Sequence, residues 1–163
     1  MNTFALRITS ALLLGCGALS TSAGATDEAL ARVVGNWLTE PRDGIIQLSV
    51  DSQGRLEGRI VGGNHPGLKD EKNPDPTRRG LEQRGQIILK DMHYDGDGRW
   101  SGGTIYKPGN GSTYRCKIEL EGNDILKVRG YIGFALLGVT QKWTRYTGVG
   151  NRLVCVLCER RSR

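Results

Sequence analysis

Residues 35–146 alternate between apolar and polar positions in a series of short runs. Two of these runs, Ile125–Ile132 and Val139–Tyr146, carry an apolar, small or uncharged residue at every second position, which is the period of a half-buried strand. The corner between them, Gly133–Gly138, contains Phe, Ala and Leu where most hairpins carry Asn, Asp or Pro. We expect this apolar corner to act as a lid or a plug at one end of a barrel or sandwich.

Five further runs and a short initial strand show the same alternation. The additional predicted strands are Gly35–Leu38, Gly44–Asp51, Arg55–Val61, Gly85–Met92, Arg99–Lys107 and Ser112–Glu121. Their even spacing, with turn residues between neighbours, is typical of an antiparallel meander. Because a regular sheet with many glycines closes more readily than it packs as two flat layers, we predict an all-β fold, an up-and-down antiparallel barrel of about eight strands. A short helix over Thr26–Val34 precedes the barrel, and Leu153–Leu157 is a possible ninth strand.

The segment 62–84 interrupts the alternation and contains three of the five prolines, Pro66, Pro74 and Pro76. Strand alternation resumes directly after it, so we interpret it as a long loop within one domain and not as a linker. Loops of this length are often functional, and coverage of a sheet edge or a barrel end is an equally good interpretation.

The first 25 residues have the parts of an export signal. Arg7 provides a positive charge, Ile8–Leu19 is apolar, and Ala23–Ala25 supplies the small residues that a signal peptidase requires. The apolar run is too short for a membrane-spanning helix, so we expect no transmembrane segment and a periplasmic or secreted protein. An alternative is a lipoprotein anchored at Cys16, because the preceding Leu-Leu-Gly resembles a lipoprotein cleavage box.

Removal of the signal would leave 163 − 25 = 138 residues, enough for one domain. We predict a signal peptide over 1–25, a barrel domain over 26–146, and a basic extension with a Cys-x-x-Cys motif over 147–163. The signal contains one cation and no acid, so the net charge falls from +6 to 22 − 17 = +5. Charges at alternate strand positions usually form a solvated sheet face, so we expect no nucleic-acid partner. Weak attraction to an anionic envelope surface stays open.

Three cysteines, Cys116, Cys155 and Cys158, remain after the signal. A zinc site would need two further ligands, for which His65 and His93 are the available histidines. A redox pair normally lies at a helix N-terminus, and the tail sequence predicts no such helix. In an oxidising compartment we expect a structural disulfide from Cys116 to one tail cysteine, with one thiol left over.

Other candidate chemistry in the chain has a simpler explanation. Asp95–Gly98 (D-G-D-G) resembles the start of a calcium-binding loop, but Tyr106 stands where the bidentate carboxylate is required, so a β-turn is the better interpretation. Glu57, Asp91 and Glu119 stand at strand positions or strand ends where solvated carboxylates are expected. The sequence has no Gly-x-Ser-x-Gly motif. We therefore expect no catalytic residue, no metal and no cofactor.

A set of short motifs extends from residue 35 to residue 145. They are Gly35-Asn-Trp37-Leu-Thr39, Gly58-Arg-Ile-Val61, Asn73-Pro-Asp-Pro76 with Arg79-Gly80, Asp95-Gly-Asp-Gly98 with Trp100-Ser-Gly-Gly103, Ile105-Tyr106, Leu126-Lys-Val-Arg-Gly-Tyr131, Leu136-Leu-Gly138, Thr140-Gln141 and Trp143-Thr-Arg145. Together they resemble a bacterial family of small exported proteins, domain of unknown function 2147. The block from residue 126 to residue 145 is the most specific part of the resemblance.

The resemblance implies a lipocalin-like up-and-down barrel with an internal cavity. It implies no reaction, because the family has no established activity. Gly35 and Trp37 in the first strand and Arg145 in the last strand resemble the lipocalin pairing in which a guanidinium stacks on an indole. The implied role of these three residues is structural closure of one barrel end.

Two functional hypotheses follow. In the first, the protein is a carrier that holds a small apolar or amphipathic molecule inside the barrel. The residues predicted to line its cavity are Ile46, Leu48, Ile60, Trp100, Tyr106, Tyr114, Ile118, Val128, Tyr131, Phe134 and Trp143. In the second, the interior is solid, and the protein binds an envelope protein partner through the 133–138 corner and the basic strands. Inward-facing glycines (Gly58, Gly102, Gly130) favour the first hypothesis, although bends in the strands would also explain them.

Overall fold

The computed structural model describes residues 22–148, whose strands form one closed antiparallel sheet. The strands are β1 (Gly35–Leu38), β2 (Gly44–Val50), β3 (Leu56–Gly63), β4 (Ile87–Gly96), β5 (Arg99–Ser101), β6 (Thr104–Lys107), β7 (Ser112–Glu121), β8 (Ile125–Tyr131) and β9 (Val139–Arg145). Apart from β5 and β6, strands that follow one another in the chain are neighbours in the sheet, and β9 returns to pair with β1. The predicted all-β, up-and-down barrel is confirmed.

Strands β5 and β6 occupy a single position in the barrel wall. Both lie between β4 and β7, so the wall has eight positions, as the pattern predicted. Gly102 and Gly103 separate β5 from β6. A Cβ atom on Gly103 would lie 2.1 Å from the carbonyl oxygen of Lys90 in β4. Only glycine therefore fits where this segment approaches β4 so closely.

Helix α1 (Ser22–Val33) precedes the barrel and packs against one end of it. The pattern predicted this helix over Thr26–Val34; it begins earlier and ends one residue sooner. Ala29 and Val33 are buried in the core, and the indole N–H of Trp37 donates to the carbonyl oxygen of Val33 at 2.9 Å. No helix within residues 22–148 is both long enough and apolar enough to cross a membrane.

Arg145 lies over Trp37 where the last strand meets the first. The two residues are partners in the β1–β9 register, and the guanidinium carbon lies 4.3 Å from the centroid of the indole ring. The guanidinium also donates to the carbonyl oxygens of Asn123 (2.7 Å), Val34 (3.3 Å) and Arg32. One side chain therefore connects β9 to β1, to the end of α1 and to the turn between β7 and β8.

Side chains fill the half of the barrel next to α1, which we call the closed half. Its buried residues are Val33, Trp37, Leu48, Leu56, Leu89, Met92, Trp100, Cys116, Ile118, Leu120 and Leu126. Gly58 contributes to this packing, because a Cβ atom there would lie 3.0 Å from side-chain atoms of Leu48 and Leu89. This glycine thus allows close packing, and it does not leave the unfilled space that the sequence suggested.

Strand β4 departs from simple alternation. Simple alternation over the predicted strand Gly85–Met92 would place Ile87 and Leu89 on one face and Ile88 on the other. In the barrel Ile88 and Leu89 are both buried, with exposed fractions of 7% and 0%, because the ladder between β3 and β4 shifts register between the pairs Gly58↔Leu89 and Arg59↔Ile87. This β-bulge turns two successive side chains toward the interior.

Some of the sequence-based predictions concern residues outside the described range of 22–148. They are the export signal up to residue 21, the lipidation of Cys16, the strand over Leu153–Leu157 and the pairing of Cys155 and Cys158. These stay predictions.

Replacing Arg145 by Ala should lower the free energy of unfolding by about 2–4 kcal/mol, because three charged hydrogen bonds and one cation–π contact are lost. The side chain is 22% exposed, so water replaces part of this loss. Urea denaturation measures the change. Arg115→Ala is the matched control, because Arg115 is exposed and its loss should change stability by less than about 0.5 kcal/mol. Equal effects of the two substitutions would contradict the closure role of Arg145.

Candidate functional site

Four connections surround the barrel end opposite α1, which we call the open end. They are residues 39–43 between β1 and β2, residues 64–86 between β3 and β4, residues 108–111 between β6 and β7, and residues 132–138 between β8 and β9. Beneath them lies a cavity of about 540 Å³, lined by strand residues and by residues of these connections. This size is typical of sites that hold one small molecule.

The deeper walls of the cavity are apolar. The strand side chains that line them are Ile46, Ile60, Ile88, Ile105, Tyr114, Val128 and Trp143. The indole N–H of Trp143 donates to the side-chain oxygen of Gln141 at 2.9 Å, so its polar atom is satisfied within the wall. A pocket with such walls excludes water from an apolar ligand and offers it little hydrogen bonding.

Polar and charged groups lie at the rim. Asp43, His65, Arg84 and Lys107 line the cavity at the level of the connections. Asp43 accepts a hydrogen bond from the hydroxyl of Thr39 at 2.7 Å, whereas Arg84 and Lys107 are exposed to solvent. The site therefore combines an apolar interior with a polar rim, a combination that suits an apolar molecule with one polar or charged end.

The 64–86 loop is fastened to the barrel through a buried carboxyl group. Asp70 is 0% exposed and accepts hydrogen bonds from the hydroxyl of Tyr106 (2.8 Å) and from the side-chain amide of Asn73 (2.6 Å). Burial, together with the hydrogen bond and the charge of Asp70, raises the pKa of Tyr106 to about 12. The phenol therefore remains a donor over the physiological pH range.

Further contacts give the loop a defined shape. Arg79 donates to the carbonyl oxygen of Asn73 at 2.8 Å, and Asp75 caps the short 3-10 helix Pro76–Arg78. Lys72 donates to the carbonyl oxygen of Gly109 at 2.9 Å, which joins the loop to the neighbouring turn. The predicted long loop is thus an ordered cover beside the cavity, with residues 64–68 and 83–84 in its lining.

The structure brings together six of the eleven residues that the sequence placed in the cavity lining, namely Ile46, Ile60, Tyr106, Tyr114, Val128 and Trp143. Leu48, Trp100 and Ile118 face inward but lie in the closed half, where other side chains surround them. Tyr131 lies opposite Arg115, on the outer face of the barrel. Phe134 is 80% exposed, so the corner projects into solvent and does not plug the barrel.

Other residues of the lining were not predicted from the sequence. They include Ile88 and Ile105 in the walls and His65, Leu68, Arg84 and Lys107 at the rim. Ile105 and Ile88 carried a signal, because both are apolar residues in predicted strands. The rim residues carried none, because a loop sequence does not indicate which of its side chains turn toward a cavity.

Cys116 lies inside the closed half, and burial raises the pKa of its thiol to about 12, which makes it a poor nucleophile. Its predicted disulfide partners lie outside the described residues, so that pairing stays a prediction. Within residues 22–148, no three His, Cys, Asp or Glu side chains converge in a way that could hold a metal ion.

Comparison with known proteins places this barrel in a family. The model of a family described as an uncharacterized protein conserved in bacteria, domain of unknown function 2147, matches residues 35–145, and the chain belongs to this family. A search of curated proteins found no match. Among solved structures, the chain is similar to protein HP1028 of Helicobacter pylori, described as belonging to the lipocalin family. The TM-score is 0.63 at 21% sequence identity, over 77% of this chain and 88% of the other, so the shared feature is the lipocalin-like fold.

Replacing Tyr106 by Phe should lower the free energy of unfolding by about 1–3 kcal/mol, because the buried carboxyl group of Asp70 loses a donor. Urea denaturation measures this change, and amide exchange should be faster in residues 64–86. Tyr131→Phe is the matched control, because this partly exposed tyrosine lies away from the loop. Similar losses in both variants would contradict the fastening role.

The pKa of Tyr106 gives a second measurement of the same contact. The folded-state pKa of about 12 lies above the ordinary tyrosine pKa of 10.0, so the stabilisation is complete below pH 10 and is lost as the pH rises through about 12. In an ultraviolet titration of the folded protein, one of the five tyrosines should ionise later than the others. This late ionisation should be absent from Tyr106→Phe, and its persistence there would assign it to another tyrosine.

Proposed function

We propose that the protein is an exported binding protein that holds a small apolar or amphipathic molecule in the open-end cavity. The observation that carries this proposal is the cavity of about 540 Å³ with apolar strand side chains in its walls and charged groups at its rim. Transfer of an apolar ligand from water into such a site is favourable in proportion to the apolar area removed from water. The proposed ligand places its apolar body against Val128 and Trp143 and its polar end near the rim.

The location rests on the first 25 residues, whose pattern is that of an export signal. We propose a periplasmic or secreted protein. A carrier in this compartment would move a poorly soluble molecule through an aqueous space, for which a barrel with one closed end is well suited.

The alternative is an envelope interaction module with a solid interior and no small ligand. A solid interior would extend the packing of the closed half through the whole barrel. The cavity in the other half favours the carrier hypothesis, since a void with apolar walls loses dispersion contacts unless something fills it. The exposed corner at 132–138 is the observation that favours a role in surface interactions, and it is compatible with either interior.

Native mass spectrometry tests the proposal even while the ligand is unidentified. Protein purified from its own host should show a reproducible mass above that of the polypeptide, and solvent extraction should remove the added mass. The extract then identifies the class of ligand. A bare polypeptide mass, together with no binding of a fluorescent long-chain fatty acid, would overturn the carrier hypothesis.

Gly130→Leu should fill the cavity and weaken binding of a fluorescent long-chain fatty acid by at least about tenfold, since it replaces ligand volume with side chain. A Cβ atom at Gly130 would lie 3.5 Å from side-chain atoms of Ile105 and Tyr114, an ordinary contact that the fold should tolerate. Gly80→Leu is the matched control, because a Cβ atom there has no neighbour within 4 Å and Gly80 lies outside the cavity lining.

Urea denaturation of both leucine variants verifies that they are folded before binding is measured. If Gly130→Leu and Gly80→Leu bind the probe equally well, the ligand lies elsewhere and the assignment of this cavity is wrong.

A further inference from the structure

The connection between β8 and β9 exposes an unusual number of large apolar side chains. Five residues in 132–139 are highly exposed: Ile132 (71%), Phe134 (80%), Leu136 (88%), Leu137 (79%) and Val139 (74%). They are close neighbours on a single corner, whereas scattered single apolar residues are the norm on soluble proteins. The stretch from Gly130 to Gln141 contains no charged side chain.

We propose that this corner inserts into the surface of a lipid bilayer that carries anionic headgroups. The proposal goes beyond the binding function, because it concerns the outer surface of the protein and needs no ligand in the cavity. Three observations support it: the hydrogen bonds made by the corner's backbone, the charges on the adjacent face of the barrel, and the position of the corner at the cavity rim.

Part of the backbone of the corner is hydrogen-bonded within the protein. Within its 3-10 turn, the amides of Leu137 and Gly138 donate to the carbonyl oxygens of Phe134 (3.1 Å) and Ala135 (3.3 Å). The guanidinium of Arg129 donates to the carbonyl oxygens of Ala135 (2.7 Å) and Leu136 (3.0 Å). Paired polar groups lower the desolvation penalty when a segment enters an apolar phase. The side chains of Phe134 and Leu136 can therefore enter the acyl region while the carbonyl groups of Phe134, Ala135 and Leu136 keep their donors and the rest of the main chain stays at the level of the headgroups.

The outer face of β7, β8 and β9 next to the corner is basic. Arg115 and Lys117 are exposed there, and Lys142 is exposed one outward-facing row further from the corner, as the partner of Lys127 in the β8–β9 register. No ion pair joins these three residues to an acid within residues 22–148. On this face Glu119 lies in the same row as Lys142, opposite Lys127, and Glu121 lies one row nearer the closed end. Lys127 pairs with both acids, at 3.8 and 3.4 Å. Cations beside an inserted apolar segment are attracted to anionic headgroups.

The carboxylate of Glu40 is the acid that approaches this face from the opposite side. It accepts a hydrogen bond from the backbone N–H of Lys142 at 2.8 Å, so it is engaged with the main chain. Glu40 keeps its negative charge, but the cations Arg115, Lys117 and Arg129 outnumber it beside the corner. The balance of charge there is positive, which favours an anionic bilayer over a neutral one.

The corner is also continuous with the cavity. Val139 belongs both to the exposed patch and to the cavity lining, and Leu68 (50% exposed) lies at the same rim. A bilayer that receives the corner therefore lies next to the cavity opening. The patch sits at the tip of a hairpin, and a projecting tip enters a fluid headgroup layer more easily than it matches a flat face of a second copy.

Vesicle flotation tests the proposal with the purified protein. The protein should float with vesicles of phosphatidylglycerol and phosphatidylcholine in equal parts and should bind vesicles of phosphatidylcholine alone several-fold more weakly. Binding should weaken as salt is raised, because salt screens the cationic contribution. Equal binding to neutral vesicles, or no binding to either kind, would overturn the proposal.

The apolar contribution is tested by the double substitution Phe134→Ser and Leu136→Ser. Both side chains are exposed, so the fold should be unaffected, and the partition coefficient onto anionic vesicles should fall by about tenfold or more. Val50→Ser is the matched control, because Val50 is a partly exposed apolar residue (38%) on β2, away from the corner. A loss of binding in Val50→Ser as large as in the double variant would contradict insertion of the corner.

The charge contribution is tested by Lys117→Gln and Lys142→Gln, each of which should weaken binding by about fivefold. Lys90→Gln on β4 is the matched control, because Lys90 is also exposed and lies on another part of the barrel wall. Sedimentation tests whether a second copy of the chain, instead of a bilayer, covers the exposed corner. If the protein forms a dimer that the Phe134→Ser and Leu136→Ser substitutions dissociate, and it fails to float, the corner is an interface between copies and the membrane proposal is wrong.

Discussion

Closure of the sheet between β1 and β9 is the constraint on which the rest of the barrel depends. The register of this seam covers two pairs, Trp37↔Arg145 and Leu38↔Thr144, whereas the β7–β8 ladder covers residues 115–121 against 125–131. A seam this short has few backbone hydrogen bonds of its own, and side chains supplement it. The Arg145 guanidinium over Trp37 supplements one end, and the carboxylate of Glu40, which accepts from Lys142 N–H, supplements the other. Without closure, β1 and β9 would be unpaired edges.

Trp37, at this seam, also belongs to the packed core of the closed half. Trp37 is drawn inward beneath Arg145, and with α1 above it the closed half becomes densely packed around Trp37 and Trp100. Within residues 22–148 no α-helix lies over the open half, and its walls carry medium-sized side chains such as Ile60 and Val128 that do not reach across the barrel. An eight-position barrel is just wide enough for side chains to fill it or for one small molecule to enter. In this barrel, side chains fill the closed half, whereas the open half contains the cavity with room for one small molecule.

The alternation of residues predicted the fold well, because period-two patterning and turn residues are local properties. The same alternation should have excluded Tyr131 from the lining, since Val128 and Gly130 already face inward on β8 and a residue of the opposite parity faces out. The sequence could not predict how far along the barrel axis each inward-facing residue lies. Leu48 and Ile118 face inward as expected, but whether an inward residue meets the filled half or the cavity depends on strand register and on α1, which are tertiary properties. The bulge that adds Ile88 to the lining likewise follows from the pairing of β3 with β4.

The 64–86 loop and the 132–138 corner, both at the open end, differ in which groups they bury and which they expose to water. The 64–86 loop buries a carboxyl group, Asp70, and satisfies it with Tyr106 and Asn73, so its shape is set by polar contacts that leave it fixed over one side of the rim. In the 132–138 corner Arg129 donates to the carbonyl oxygens of Ala135 and Leu136, and the apolar side chains remain in solvent. A segment that only needed to turn the chain would do so with Gly, Asn or Asp, at no hydrophobic exposure. The exposure of Phe134 and Leu136 is therefore best explained by a surface that removes these side chains from water. Because the corner lies at the rim of an apolar cavity, a lipid phase in contact with it would lie next to the cavity opening.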